Sequence, residues 1–154
     1  MTEVKRIVFP TDFSESSYRA WPWTQRMAAI LDAEVHCIYV IESPAVYGTF
    51  GTEPIPAMVD GEPFATAKKQ LQRFLDEHVA EAGQLAVVKV LDGRPREEIV
   101  NYAHDIGAGM IVMSTHGYSG LQHVLLGSTT EAVLRLADCP VLSIPPAPND
   151  SSVA

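Results

Sequence analysis

Apolar residues gather into five short runs along the chain: Ile7-Val8-Phe9, then 35–41, 85–91, 110–113 and 141–144. The first and fourth are apolar throughout. Strict alternation would mark a sheet with one wet face. Continuous apolarity marks strands buried on both faces, as parallel strands covered by helices are. Between the runs, apolar residues recur at intervals of three and four. Ala20, Trp23, Met27, Ile30 and Leu31 form one stripe, and Ala67, Leu71, Phe74, Leu75 and Val79 a second. Ile99, Val100, Ala103 and Ile106 form a third, and Ala132, Val133, Leu136 and Ala137 a fourth. Each stripe predicts a helix with one face on a core. The order βαβαβαβαβ predicts an α/β fold: a doubly wound open sheet of five parallel strands, with right-handed crossovers and helices on both faces.

Punctuation agrees with this order. Ser14 suits the N-cap of the first helix, Gly83 the C′ position of the second, and Gly107 or Gly109 that of the third. Pro22 falls inside the first stripe, so that helix either kinks or begins later than Ser14 suggests. Residues 42–61 hold Pro44, Gly48, Gly51, Pro54, Pro56 and Gly61 and fit no element. A connection of that length is either a lid or binding loop or a plain excursion. A polar end, 147–154, reads as a disordered tail behind a single domain of residues 1–146.

Composition narrows the function. The 154 residues suffice for one domain with a real core, and 47% hydrophobic against 19% charged residues place it among globular chains. Eleven Lys+Arg against nineteen Asp+Glu give a net charge of −8, and no Lys/Arg run exceeds two. Long-range attraction to nucleic acid or to anionic lipid is therefore lacking. No stretch approaches the roughly 18 apolar residues that a membrane span needs. The first residues carry no signal core, so a cytoplasmic location is expected. Cys37 and Cys139, each in an apolar run, read as buried thiols of a reducing compartment.

In an open parallel sheet, ligands sit beyond the carboxyl ends of the strands, where the strand order reverses. The first strand exits into Pro10-Thr11-Asp12-Phe13-Ser14. Asp12 is placed either to accept from a ribose hydroxyl or base amino group, or, with Ser14, to cap the first helix. The fourth strand exits into Ser114-Thr115-His116-Gly117-Tyr118-Ser119-Gly120, followed after six residues by Gly127-Ser128-Thr129. Glycines let the backbone approach a ligand, and the free N–H groups of a helix start suit phosphate. Ser128-x-x-Glu131 is also a capping box, which would fill that helix start without a ligand.

Other chemistries lack their motifs. There is no Gly-x4-Gly-Lys-Ser/Thr, and Gly107-Ala108-Gly109 precedes a strand and lacks the third glycine of a dinucleotide fingerprint. Gly117-Tyr118-Ser119-Gly120 is not a nucleophile elbow. His36, His78, His104, His116 and His123 have no zinc-ligand spacing, and no metal site built from side chains is predicted. Of the five, His116 is the one placed to touch a ligand.

These residues together resemble the universal stress protein family, the UspA-like domain, over nearly the whole chain. The family's nucleotide pattern is Gly, two residues, Gly, nine residues, Gly-Ser/Thr. Ser114-Thr115-His116-Gly117, nine residues and Gly127-Ser128 follow it in register, with Ser114 at the first glycine. The opening Ile7-Val8-Phe9-Pro10-Thr11-Asp12 and the closing Cys139-Pro140-Val141-Leu142-Ser143-Ile144 are also similar to the family's. If the backbone at Ser114 needs a positive φ, serine there costs on the order of 1 kcal/mol. At an ordinary strand end it costs nothing.

The resemblance implies strand order 3-2-1-4-5 and a homodimer through the last strand, Val141–Ile144. It implies an ATP or other adenine-nucleotide site drawing on Pro10, Thr11, Asp12 and Val40, on Met113, Ser114, His116 and Gly117, and on Gly127, Ser128 and Thr129. Asp12 meets the ribose or base, the backbone of Val40 the adenine, and Gly117, Gly127, Ser128 and Thr129 the phosphates. No Lys or Arg lies in the motif, so a divalent ion, Mg²⁺ or Mn²⁺, is expected with the nucleotide. The leading reading is a nucleotide-binding stress-response protein. A slow ATPase would depend on His116, which no carboxylate accompanies. A dimeric scaffold without nucleotide is the third reading.

Overall fold

The computed structural model describes residues 3–42, 61–78, 86–115 and 126–146. The chain runs β1 (Arg6–Pro10), α1 (Glu15–Leu31), β2 (Glu34–Ile41), α2 (Glu62–His78), β3 (Ala86–Asp92), α3 (Pro95–Asp105), β4 (Met110–Ser114), α4 (Ser128–Leu136) and β5 (Val141–Ile144). The strands form one sheet in the order β3-β2-β1-β4-β5, all neighbours parallel. Gly83, Val79, most of the connection 42–61 and the tail 147–154 lie outside the described residues.

Alternation along the strands divides the core into two layers. Ile7, Phe9, Val35, Cys37 and Val112 face α1 and α2, where Trp21 and Phe74 pack edge to face with centroids 5.3 Å apart. Val8, Ile38, Val40, Ile111 and Met113 face Ile99 and Ala103 of α3 and Val133 of α4. The continuous apolar runs of β1 and β4 are thus explained: both are central strands with a helix layer on each side.

Two helices are rotated from the predicted stripes. On α1 the buried positions are Ser17, Ala20, Trp21, Thr24 and Ala28, while Trp23 is 49% and Ile30 64% exposed. Ser17 and Thr24 enter the core because their hydroxyls are satisfied locally, Thr24 donating to Ala20 O at 2.9 Å and Ser17 to Ser14 O at 2.9 Å. A polar letter therefore occupies the inner face. On α4, Leu136 is exposed, as is Leu134. Ser14 caps α1, its side chain accepting from Ser17 N at 3.1 Å, so a later start is excluded and the helix runs through exposed Pro22.

The link from α3 to β4 needs both of its glycines. Gly107 follows the end of α3 at φ +61°, the left-handed C′ position. Gly109 lets the chain pass beside β1: its N–H donates to Arg6 O at 2.9 Å, and a Cβ there would fall 2.8 Å from Val4 Cα. Both cysteines are free thiols. Burial pushes the Cys37 thiol up to about 12, whereas Cys139 is only half-buried, correcting the expectation that both are enclosed.

His36 is buried between β2 and α3, with Nδ1 2.8 Å from the hydroxyl of Tyr102. Burial lowers its pKa from the ordinary 6.5, and Arg6 adds to this while Glu34 opposes it. The unfolded chain therefore takes up the proton first, so His36 stabilises the fold above about pH 6.5 and less as pH falls below it. Urea midpoints at pH 7.5 and 5.0 should drop more for wild type than for His36→Gln. Equal drops would contradict this. Replacing Gly109 with Ala forces the β1–β4 junction apart and should lower stability by about 1–3 kcal/mol. A denaturation midpoint within error of wild type would show that the junction yields freely.

Candidate functional site

A cavity of about 400 Å³ opens beyond the carboxyl ends of β1 and β4. It lies where the strand order reverses, because β1 leads to α1 on one face and β4 to α4 on the other. Its volume falls in the range of small-ligand sites.

Part of the cavity lining is apolar. Ile38 and Val40 of β2 and Met113 of β4 share the face that meets α3, whose first five residues add Pro95 and Ile99. The α3 start has no side-chain cap. Behind it, burial raises the carboxyl of Glu98, with Glu97, Asp92 and Asp105 adding to the effect.

The β1–α1 turn forms one wall. Thr11 N–H donates to Ile38 O at 2.9 Å, carrying the chain one step past the β1–β2 ladder. The buried Thr11 hydroxyl meets the Ser17 hydroxyl at 2.8 Å and accepts from Phe13 N–H at 3.0 Å. Asp12 Oδ1 accepts from Ser14 N–H at 2.9 Å, an Asx turn. Phe13 pays for this tight path with a φ of 62°, a conformation costing about 1–2 kcal/mol in a non-glycine residue. Its ring packs on Tyr39 with centroids 4.7 Å apart. So Ser14 serves the helix, and Asp12 sets the turn while lining the cavity.

Small polar residues line the cavity where β4 gives way to α4: Ser114 at the end of β4, and Gly127, Ser128, Thr129 and Thr130 at the start of α4. The capping box read from Ser128 and Glu131 does not form. Gly127 is the N-cap, and among the described residues no side chain caps the helix. Ser128 is the first helical residue, and Glu131 instead pairs with Arg135 at 3.4 Å across one turn. A box needs its hydroxyl one residue earlier, at the position that glycine holds. Ser114 carries no positive φ: among the described residues only Phe13 and Asp32 do so without being glycine. Its place in β4 is an ordinary strand end, paired with Ile144, so serine there carries no backbone penalty.

Of the residues predicted for the site, Pro10, Thr11, Asp12, Val40, Met113, Ser114, Gly127, Ser128 and Thr129 surround this single cavity. His116 and Gly117 lie outside the described residues. The prediction missed several lining residues. Ile38 is two residues before Val40 on the same strand face, so alternation alone would have found it. Pro95 and Ile99 follow the exit of β3, apart from the β1 and β4 exits that carry the motifs. Glu42, Tyr39, Ser17 and Thr130 carried no motif of their own. Among the described residues no three His, Cys, Asp or Glu side chains cluster as a metal site, and no helix is long and apolar enough to cross a membrane.

Comparison with known proteins agrees with this architecture. Residues 3–145 match the model of the Universal stress protein family. Universal stress protein MJ0531 of Methanocaldococcus jannaschii is 35% identical over 142 residues, covering 91% of this chain and 81% of that protein. Universal stress protein MJ0577 of the same organism is 29% identical over 153 residues, covering 91% and 94%. The solved structure of MJ0577 has a TM-score of 0.80 at 28% identity and covers 96% of this chain and 99% of its own. A universal stress protein solved in complex with cAMP shares the fold, with a TM-score of 0.69 at 21% identity over 93% of this chain and 98% of its own. The chain belongs to the universal stress protein family.

Proposed function

We propose that this protein binds an adenine nucleotide, ATP above all, in the cavity between β1 and β4. One observation carries the reading. The start of α4, which no described side chain caps, opens onto a cavity that is also lined by apolar side chains and by Asp12. A helix start of this kind offers unpaired N–H groups and the positive end of a dipole, and favours an anion. A nucleotide has the matching polarity: a flat, apolar base at one end and phosphates at the other. The base would lie against Val40, Ile38 and Met113, with Pro10 at the strand exit. Asp12 would accept from the ribose or base. The amides at Gly127, Ser128 and Thr129 would hold the phosphates, with Ser114, His116 and Gly117 completing that end. The universal stress protein solved with cAMP speaks for the fold alone at its level of identity, so the reading rests on the cavity.

Among the described residues no Lys or Arg lines the cavity, and the chain carries −8. A triphosphate would therefore bring Mg²⁺ or Mn²⁺ to complete its neutralisation, since a few amides supply only partial charges. The protein would act as a cytoplasmic, stress-response binding module, with residues 1–146 as its one domain. The sheet ends on β5, a strand of four residues with no neighbour on its outer side among the described residues. Leu134 and Leu136 stand exposed on α4, which precedes it. An apolar edge of this kind is an aggregation hazard unless paired, which supports a homodimer through Val141–Ile144.

Calorimetric titration of ATP into purified protein should show saturable binding that weakens at least tenfold when EDTA removes divalent ions. Gly127→Val, which sets a branched side chain at the uncapped helix start, should abolish the heat while the circular dichroism stays native. Wild-type protein that neither binds ATP nor carries nucleotide from purification would end the reading. Equal affinities with and without EDTA would remove the metal alone. Sedimentation equilibrium should give twice the 16.8 kDa chain mass, and the mass of one chain would sink the dimer.

A further inference from the structure

Thr130 is the third residue of α4 and is 3% exposed, yet it carries a hydroxyl into the wall of the cavity. That hydroxyl donates to Ser114 O at 2.9 Å. A threonine hydroxyl has a single proton. With it committed to Ser114, Thr130 has none to give a phosphate oxygen, so its role is not that of a ligand. The same peptide unit is held from its other side, Thr115 N–H donating to Ile144 O at 2.9 Å. One atom group further on, Gly127 N–H donates to Thr115 O at 2.7 Å. The start of α4 is thus tied to the end of β4 at two points, the Gly127 amide and the Thr130 hydroxyl, three residues apart at the helix start and on adjacent residues of the strand end.

We propose that Thr130 is a positioning residue for the phosphate end of the site: its hydroxyl fixes the first turn of α4 against β4, and so fixes where the amides of Ser128 and Thr129 point. The inference rests on the nucleotide reading above and adds to it a residue that does not touch the ligand. Charge recognition by backbone amides depends on their aim, because a hydrogen bond weakens steeply as its angle closes. A helix start free to rock on the single Gly127 bond would lose that aim without losing the fold.

Three variants separate the hydroxyl from the bulk. Thr130→Val keeps the volume and removes the hydroxyl, Thr130→Ser keeps the hydroxyl and removes the methyl, and Thr130→Ala removes both. In calorimetric titrations with ATP, the Ser variant should bind as wild type and the Val and Ala variants about tenfold more weakly, the worth of one hydrogen bond. In nucleotide-free protein, amide hydrogen exchange at Gly127 should rise severalfold in the Val and Ala variants and stay at the wild-type rate in the Ser variant. Val binding like wild type while Ser is weak would mean that only packing matters, and would overturn the proposal. Weaker binding by Val with unchanged Gly127 exchange would make Thr130 a direct ligand and overturn it equally. Should the Val variant fail to fold, the Ser and Ala pair decides by the same two readouts. Wild type binding no ATP, with exchange at Gly127 still raised by Thr130→Ala, would locate the failure in the nucleotide reading and not in the clamp.

Discussion

A central parallel strand buried on both faces can leave the core only at its ends. β1 and β4 are in that position: Ile7 and Phe9 point into one layer and Val8 into the other, while Ile111 and Val112 divide in the same way. Neither strand can bend aside without exposing apolar surface on one face, at about 25 cal/mol for each Å². At their carboxyl ends the chain must therefore turn outward, toward α1 after β1 and toward α4 after β4. The two departures diverge because the next helices lie in different layers. The gap they leave is the cavity, and it is a consequence of the sheet order before any ligand is considered.

What makes this gap a shaped site is how tightly its two walls are tied. On the β1 side, the Thr11, Ser14 and Ser17 hydroxyls and the Asp12 carboxylate hold a turn that forces Phe13 to positive φ. That conformation persists because the surrounding hydrogen bonds and the ring contact with Tyr39 over-determine it. On the β4 side, the Ser114–Thr115 peptide accepts from Thr130 and donates to Ile144, so the helix start, the central strand and the edge strand meet at one group. Hydrogen bonds in series polarise one another, which stiffens such a junction beyond the sum of its members. Both walls are held by hydrogen bonds where they line the cavity, as recognition by fixed dipoles requires.

The order of elements was legible because burial on two faces leaves a continuous apolar signature, and all five runs became strands within a residue or two. The inner face of α1 was not. Ser17 and Thr24 sit in the core with hydroxyls satisfied by backbone a turn earlier, while Trp23 and Ile30 stand outside. Hydrophobic spacing cannot see a polar group that carries its own partner. The capping box failed for a related reason. Ser128 and Glu131 have the right separation, but the helix begins one residue earlier than that pairing requires, with Gly127 at the cap. Separation alone does not fix register at a helix end. Most of the cavity was found from the strand-end rule, whereas Pro95 and Ile99 went unread because they belong to a helix start beyond β3.

An anion site in a chain of net charge −8 calls for a local source of positive potential. At physiological ionic strength, charges more than about 8 Å apart across solvent are largely screened. The scattered surface carboxylates would therefore act little on an anion bound in the cavity. Within the cavity the balance is set by what lies in contact. There the α4 dipole and the amides of its first turn would favour phosphate, and the carboxylates of Asp12 and Glu42 would disfavour it. A half-charge helix end cannot by itself outweigh carboxylates at equal distance. The site favours phosphate only if the acids stand at the base end and the amides at the phosphate end. The division of the cavity between an Asp12 wall and an α4 wall is the arrangement that this balance requires.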